Sequence, residues 1–203
     1  GTTWSTTAGT LTGGMSSNAA AIKTDGTLWT WGDNEGGALG INSTVKQSSP
    51  TQIPGTTWSK VTSSGYCVYT TRTDGTLWAW GSQSKGCLGQ NEGPGTNRSS
   101  PVQIPGTTWS KLSSSGDSAA AIKTDGTLWA WGSNTNGELG QNDGVHYSSP
   151  VQIPGTTWAA STGTTTTFLA TKTDGTLWAW GSNSYGALGQ NAGAPARKSS
   201  PTQ

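Results

Sequence analysis

Apolar positions in this chain come in short runs broken by polar residues, and their period is two. In TLWAW at residues 76–80 the side chains of a strand alternate faces, so Trp78 and Trp80 share one face and Leu77 and Ala79 the other. No apolar period near 3.6 is sustained, and Gly, Ser and Thr interrupt every stretch long enough for a helix. Around TLWAW the second quarter of the chain predicts four strands: Trp58–Ser63, Cys67–Arg72, Thr76–Trp80, and Val102–Ile104 after Pro101. Between the second and third lies TDGT, a hairpin signal, because Asp-Gly accepts the positive φ of a two-residue turn. The second strand reads AAAIK at 119–123 and FLATK at 168–172 in later copies, and its small residues suit a strand near a crowded axis.

The pattern repeats. TDGTLWAWG stands at 73–81, 124–132 and 173–181, with TDGTLWTWG at 24–32. Alignment on GTTW divides the chain into units 1–54, 55–105, 106–154 and 155–203. A period near 50 with several strands per unit points to propeller blades. The expected fold is all-β: four blades of four antiparallel strands, together one propeller-type domain. The Trp face of one blade would interlock with the Leu/Ala face of its neighbour, each buried Trp contributing on the order of a few kcal/mol.

Composition fits this picture. Trp occurs 12 times against one Phe and four Tyr, and Gly 31 times. Charged residues are 10% of the chain and the formal net charge is +1, so there is no basic field for nucleic acid. No apolar run approaches the roughly 20 residues of a membrane-spanning helix. Cys67 and Cys87 are too few for a disulfide framework; they allow one bridge, with free thiols the favoured state. The chain opens on GTTW, with neither an initiator Met nor a signal peptide, and stops at SSPTQ, where the other units continue into IPGTTW. That continuity reads as a piece of a longer tandem or a processed product.

The motif DGTLWAWGSNxxGxLGQN, followed by SSP, resembles the regulator-of-chromosome-condensation repeat family, its bacterial and phage-type members in particular. In the third unit Asp125, Gly126, Leu128, Trp131, Gly132, Asn134, Gly137, Leu139 and Gly140 carry the likeness, and equivalent positions do so along the whole chain. The resemblance implies seven-bladed propellers with four-stranded blades. It also implies roles from nucleotide exchange on a small GTPase to ultraviolet sensing and beta-lactamase inhibition, mostly as binding scaffolds. Chromatin-type repeats usually carry a His seven residues before the turn Asp; here Asn18, Cys67, Ser118 and Thr167 stand there, which argues against the nuclear exchange factor. Every Trp is accounted for by the repeat, which leaves none for an ultraviolet-sensing cluster. Four blades pitched for seven leave two apolar faces that do not stay bare in water. A partial or self-assembled propeller is therefore favoured over a closed four-bladed ring.

Antiparallel strands send loops alternately to two ends. The turn between the second and third strands is TDG in every copy, and the link between units is IPGTTW in all three instances. The loops at the other end differ. Those between the third and fourth strands read INSTVKQ, QNEGPGTNR, QNDGVHY and QNAGAPARK; those between the first and second read TLTGGMSSN, SSGYC, SSGDS and TGTTTT. A constant end is what folding requires, and a diversified end has the character of a binding face. The candidate partner-binding residues are Tyr66, Lys85, Arg98, Asp117, His146, Tyr147, Tyr185 and Arg197. Tyrosine offers contact area with a polar tip at low entropic cost.

Enzyme chemistry finds little support. The single His, His146, sits on a loop, the cysteines lack CxxC spacing, and DNEGG at 33–37 lacks the ligand spacing of a calcium loop. Asp25, Asp74, Asp125 and Asp174 read as turn residues. NST at 42–44 and NRS at 97–99 match glycosylation acceptors, a frequent coincidence in such a composition. The expectation is a non-enzymatic interaction module without cofactor or metal. It would sit on a secreted, cell-surface or virion protein and recognise protein or glycan through the variable end, with neither nucleic-acid binding nor membrane insertion. One alternative is a structural module that self-assembles into a ring or fibre. Another is a multivalent lectin, which would need the same groups at one loop position in every unit, and the variable loops lack them.

Overall fold

In the computed structural model, which describes residues 3–13, 17–190 and 197–203, each repeat is one antiparallel four-stranded meander. The first sheet holds β1 (Leu11–Gly13), β2 (Asn18–Ile22), β3 (Leu28–Gly32) and β4 (Gln47–Ile53). The second holds β5 (Trp58–Ser64), β6 (Cys67–Arg72), β7 (Leu77–Gly81) and β8 (Arg98–Ile104). The third holds β9 (Trp109–Ser115), β10 (Ser118–Lys123), β11 (Leu128–Gly132) and β12 (Tyr147–Ile153). The fourth holds β13 (Trp158–Gly163), β14 (Thr167–Lys172), β15 (Leu177–Ser182) and β16 (Arg197–Thr202). We call these sheets blades 1 to 4. They form an open arc, and the ring is not closed.

Packing follows the alternation in TLWAW. One core joins Trp109, Ala119, Ala121 and Trp131 of blade 3 to Tyr69, Leu77, Ala79, Leu88 and Ile104 of blade 2. The next joins Trp158, Phe168 and Trp180 to Ile122, Leu128, Ala130, Leu139 and Ile153. The first joins Trp58, Val61, Val68 and Trp80 to Ala20, Ile22, Leu28 and Ile53. The core therefore lies between blades, a bulky face of one set into the Leu/Ala face of the one before. Replacing a side chain such as Trp131, fully buried, with Ala costs about 3–5 kcal/mol.

Four details depart from the sequence expectation. The innermost strands are the first of each blade, β1, β5, β9 and β13, which contact one another in succession. The crowding at the axis is met by hydroxyls, not by the Ala-rich second strand: Thr12 bonds Ser63 at 3.0 Å, Thr62 bonds Ser114 at 3.2 Å and Ser113 bonds Ser161 at 2.8 Å. The outer strand is longer than predicted and contains Pro101 itself. β8 pairs Gly81 with Arg98 and Ala79 with Val102, and the shift between them puts the proline in a bulge on a strand at the sheet edge, where no ladder N–H is missed.

The TDG hairpin is a type I turn closed by glycine, not a two-residue turn. Gly126 N–H donates to the Lys123 carbonyl at 3.0 Å, and only the glycine has positive φ. Lastly, Cys67 and Cys87 are disulfide-bonded, not free. The loop after β7 folds back to the start of β6 and brings their Cα atoms within 6.8 Å.

Candidate functional site

The constant end is a repeated turn. In blade 3 the Asp125 carboxylate accepts the Thr127 amide at 2.9 Å and its hydroxyl at 2.7 Å, and the Trp129 indole donates to that hydroxyl at 2.9 Å. The same relay stands at Asp25, Asp74 and Asp174. The carboxyls of Asp25, Asp74 and Asp125 are held below the usual range, first by the threonine hydroxyl and then by its amide; at Asp174 the amide leads. Beside each turn a cation lies over two indoles, as Lys123 does 4.6 Å from the centres of both Trp109 and Trp129. The four aspartates here are turn residues, bonded within their own hairpins.

At the other end the variable loops hang on buried amides. The Asn134 carboxamide accepts the Leu139 amide at 2.9 Å and donates to Asp143 Oδ1 at 2.7 Å, and its backbone N–H donates to His146 Nδ1 at 2.9 Å. Asn34 and Gln83 anchor the corresponding loops of blades 1 and 2. Each loop root is also tied to the turn beside it, as in Ser82 N–H to Tyr66 O and Ser133 N–H to Asp117 O. The first–second turns and third–fourth loops therefore share one end on a fixed base.

The structure brings some of the sequence candidates together. Lys85 of blade 2 meets Asp117 of blade 3 at 3.6 Å. Both line a cleft of about 370 Å³ with Gly65, Thr135, Asn136, Glu138 and Thr165, residues from three blades. Tyr66, 40% exposed, follows Gly65 in the chain. Arg197 reaches across from blade 4 to donate to Thr135 O at 2.8 Å. His146 and Tyr147 form a second group on the loop after β11. The Tyr147 hydroxyl donates to Asp143 at 2.9 Å, which raises its ionisation above the usual phenol value.

Two candidates stand apart. Arg98 pairs with Glu92 within its own loop, and Tyr185 projects into solvent, 101% exposed. Residues 14–16 and 191–196 of the variable loops lie outside the described residues. Among the described residues no group of three side chains is placed to hold a metal, and no helix is long and apolar enough to cross a membrane.

Glu138 was not singled out from sequence. It is 3% exposed and lines the cleft. Its carboxylate accepts the Asn136 backbone and side-chain N–H groups at 2.8 and 2.9 Å. The signal was present: the other units carry Ala38, Cys87 and Ala187 at that position.

Comparison with known proteins agrees with this architecture. The model of the regulator of chromosome condensation (RCC1) repeat matches residues 25–69, 74–122, 125–169 and 174–203, and a second model of the same repeat matches 109–138. No curated protein sequence matches. Human WBSCR16 superposes with a TM-score of 0.79 at 22% identity over 92% of this chain and 50% of its own. Yeast RCC1 (Prp20), solved bound to Kap60, gives 0.78 at 17% over 92% and 47%. Prp20p from Saccharomyces cerevisiae, characterised for its binding to Gsp1p and histones, gives 0.72 at 18% over 92% and 49%. The chain thus spans about half the length of these propellers.

Proposed function

The chain belongs to the regulator of chromosome condensation repeat family, and on that premise we propose that it is a non-catalytic binding scaffold that captures a protein partner on its diversified end. The observation that carries this reading is the Lys85–Asp117 cleft. Three blades contribute to it, both charge signs line it, and its residues vary between units whose opposite end is unchanged. Diversity on a rigid frame is the arrangement of a recognition surface. Yeast RCC1 bound to Kap60, and Prp20p with its binding to Gsp1p and histones, are propellers with macromolecular partners, which favours the same class of role here. A secreted, cell-surface or virion setting is supported by the Cys67–Cys87 bond, since such bonds persist in oxidising compartments.

Peptides selected from a random library on the intact chain test the reading. In a chain carrying Tyr66→Ala, Asp117→Ala and Tyr147→Ala together, the selected peptides bind at least about tenfold more weakly, a loss of about 1.4 kcal/mol. Unchanged affinity would show that the face is misassigned.

One observation favours a second reading, glycan binding. Two grooves between blades, of about 370 and 490 Å³, repeat one lining: Gln90, Asn91, Trp109, Lys123 and Trp129 in one, Gln141, Asn142, Trp158, Lys172 and Trp178 in the other. The repeated polar and aromatic lining of these two grooves supports this reading. A glycan array with no hit across concentrations removes this reading.

A further inference from the structure

The three junctions between blades are built identically. A Trp indole donates to a carbonyl of the preceding blade: Trp80 to Ala38 at 2.9 Å, Trp131 to Cys87 at 2.8 Å and Trp180 to Glu138 at 2.7 Å. A Trp amide donates to the turn glycine of the preceding blade: Trp58 to Gly26, Trp109 to Gly75 and Trp158 to Gly126, at 3.0–3.1 Å. The glycines of each receiving blade lie so close to the next that a Cβ would collide: Gly126 against Thr156 O at 2.3 Å, Gly137 against Ser199 Cα at 2.6 Å.

The arc ends on the two halves of this same junction. Among the described residues, nothing covers the receiving half that blade 4 presents. Gly175, Gly186 and Gly189 have no atom within 4 Å of a Cβ position, whereas their counterparts Gly75, Gly86 and Gly89 all touch blade 3. Leu177 is 56% exposed where Leu77 and Leu128 are fully buried. A shallow hollow of about 200 Å³ opens over Leu169, Thr171 and Leu177. Blade 1 presents the inserting half. Trp4 is 44% exposed where Trp58, Trp109 and Trp158 are buried, Leu11 is 71% exposed where Val61 is buried, and Trp31 is half-buried where Trp80 and Trp131 are sealed.

We propose that a second copy of this chain completes both halves: the Trp4, Leu11 and Trp31 face of each copy seats on the Leu169, Thr171 and Leu177 face of the other. The Trp31 indole then donates to the Ala187 carbonyl of the opposing copy, as Trp80 does to Ala38. Two unlike faces joined twice by a two-fold axis along the channel close a ring, leaving no face to propagate a fibre. The result is an eight-bladed propeller, within the range of blade numbers that propellers adopt. Exposed apolar faces of this kind mark interaction sites, and the internal junctions state what fits them.

Sedimentation equilibrium of the intact chain between about 1 and 100 µM, a range that spans ordinary dimer affinities, tests this. The expected mass is twice 20.8 kDa. A mass of 20.8 kDa throughout, or a ladder of larger species, overturns it. Leu177→Arg and Leu11→Arg, each on an exposed residue, keep the circular dichroism spectrum and weaken pairing at least about tenfold, roughly 1.4 kcal/mol. A dimer that survives both changes does not use these faces, and the proposal fails.

Discussion

The two ends of the arc use one set of strands in opposite ways. At the constant end the chain repeats four times because its turn groups are held by the fold: Asp125 in its turn, Gly126 under the next blade, Trp129 against Lys123. At the diversified end a buried amide such as Asn134 holds the loop root, and the residues beyond it are released to vary. Sameness marks where neighbouring blades constrain the chain, and variation begins where that constraint stops.

The largest effect that sharpens this contrast comes from two glycines. Gly126→Ala places a methyl on the Thr156 carbonyl at a positive φ and costs about 3 kcal/mol or more, whereas Gly93→Ala on a variable loop, with no atom within 4 Å, stays within about 0.5 kcal/mol. Urea unfolding of both variants measures the difference, and equal losses would erase the distinction between the ends. Next is the disulfide, which shows that the diversified end is not loosely built. Replacing Cys67 and Cys87 with Ser opens a closure of 20 residues and lowers stability by about 3 kcal/mol, read from the urea midpoint.

Smaller still is the turn carboxylate. Asp125→Ala removes two hydrogen bonds and lowers the melting temperature by about 2–4 °C, while Asp117→Ala, which loses an exposed pair, shifts it by less than about 1 °C. The pH dependence has a definite sign. The folded-state values of Asp25, Asp74, Asp125 and Asp174 lie below the ordinary 3.8. Their stabilisation is therefore fully present above that value and is lost as pH falls through the depressed values. Acid unfolding of Asp125→Ala should be less steep than that of the unaltered chain in this window.

The smallest effect is spectroscopic. Tyr147 ionises above the ordinary 10.0, and Asp143→Ala brings it down, seen in the ultraviolet absorbance of phenolate.

Much of this was legible in the sequence. The alternation of Trp78 and Trp80 with Leu77 and Ala79 specified the junction, because a strand's period of two leaves no other arrangement. The contrast between TDG turns and variable loops located the two ends. Other features were hidden for physical reasons. The axis is crowded with Thr12, Ser63, Ser114 and Ser161, and hydroxyls bonded across blades have no apolar pattern to reveal them. The Cys67–Cys87 bond depends on a loop folding back over 20 residues, which spacing alone does not encode. Pro101 masked the start of β8, since a proline tolerated in an edge bulge resembles a strand boundary in sequence. The Lys85–Asp117 cleft joins residues from successive blades, so only the packing of blades assembles it.

The account rests on the claim that the diversified end is the recognition face. Amide hydrogen exchange on the intact chain, with and without a library-selected peptide, tests it most directly. Protection is predicted at 65–66, 84–98, 116–117, 134–147 and 164–166. Protection confined to the TDG turns and IPGTTW links would contradict it.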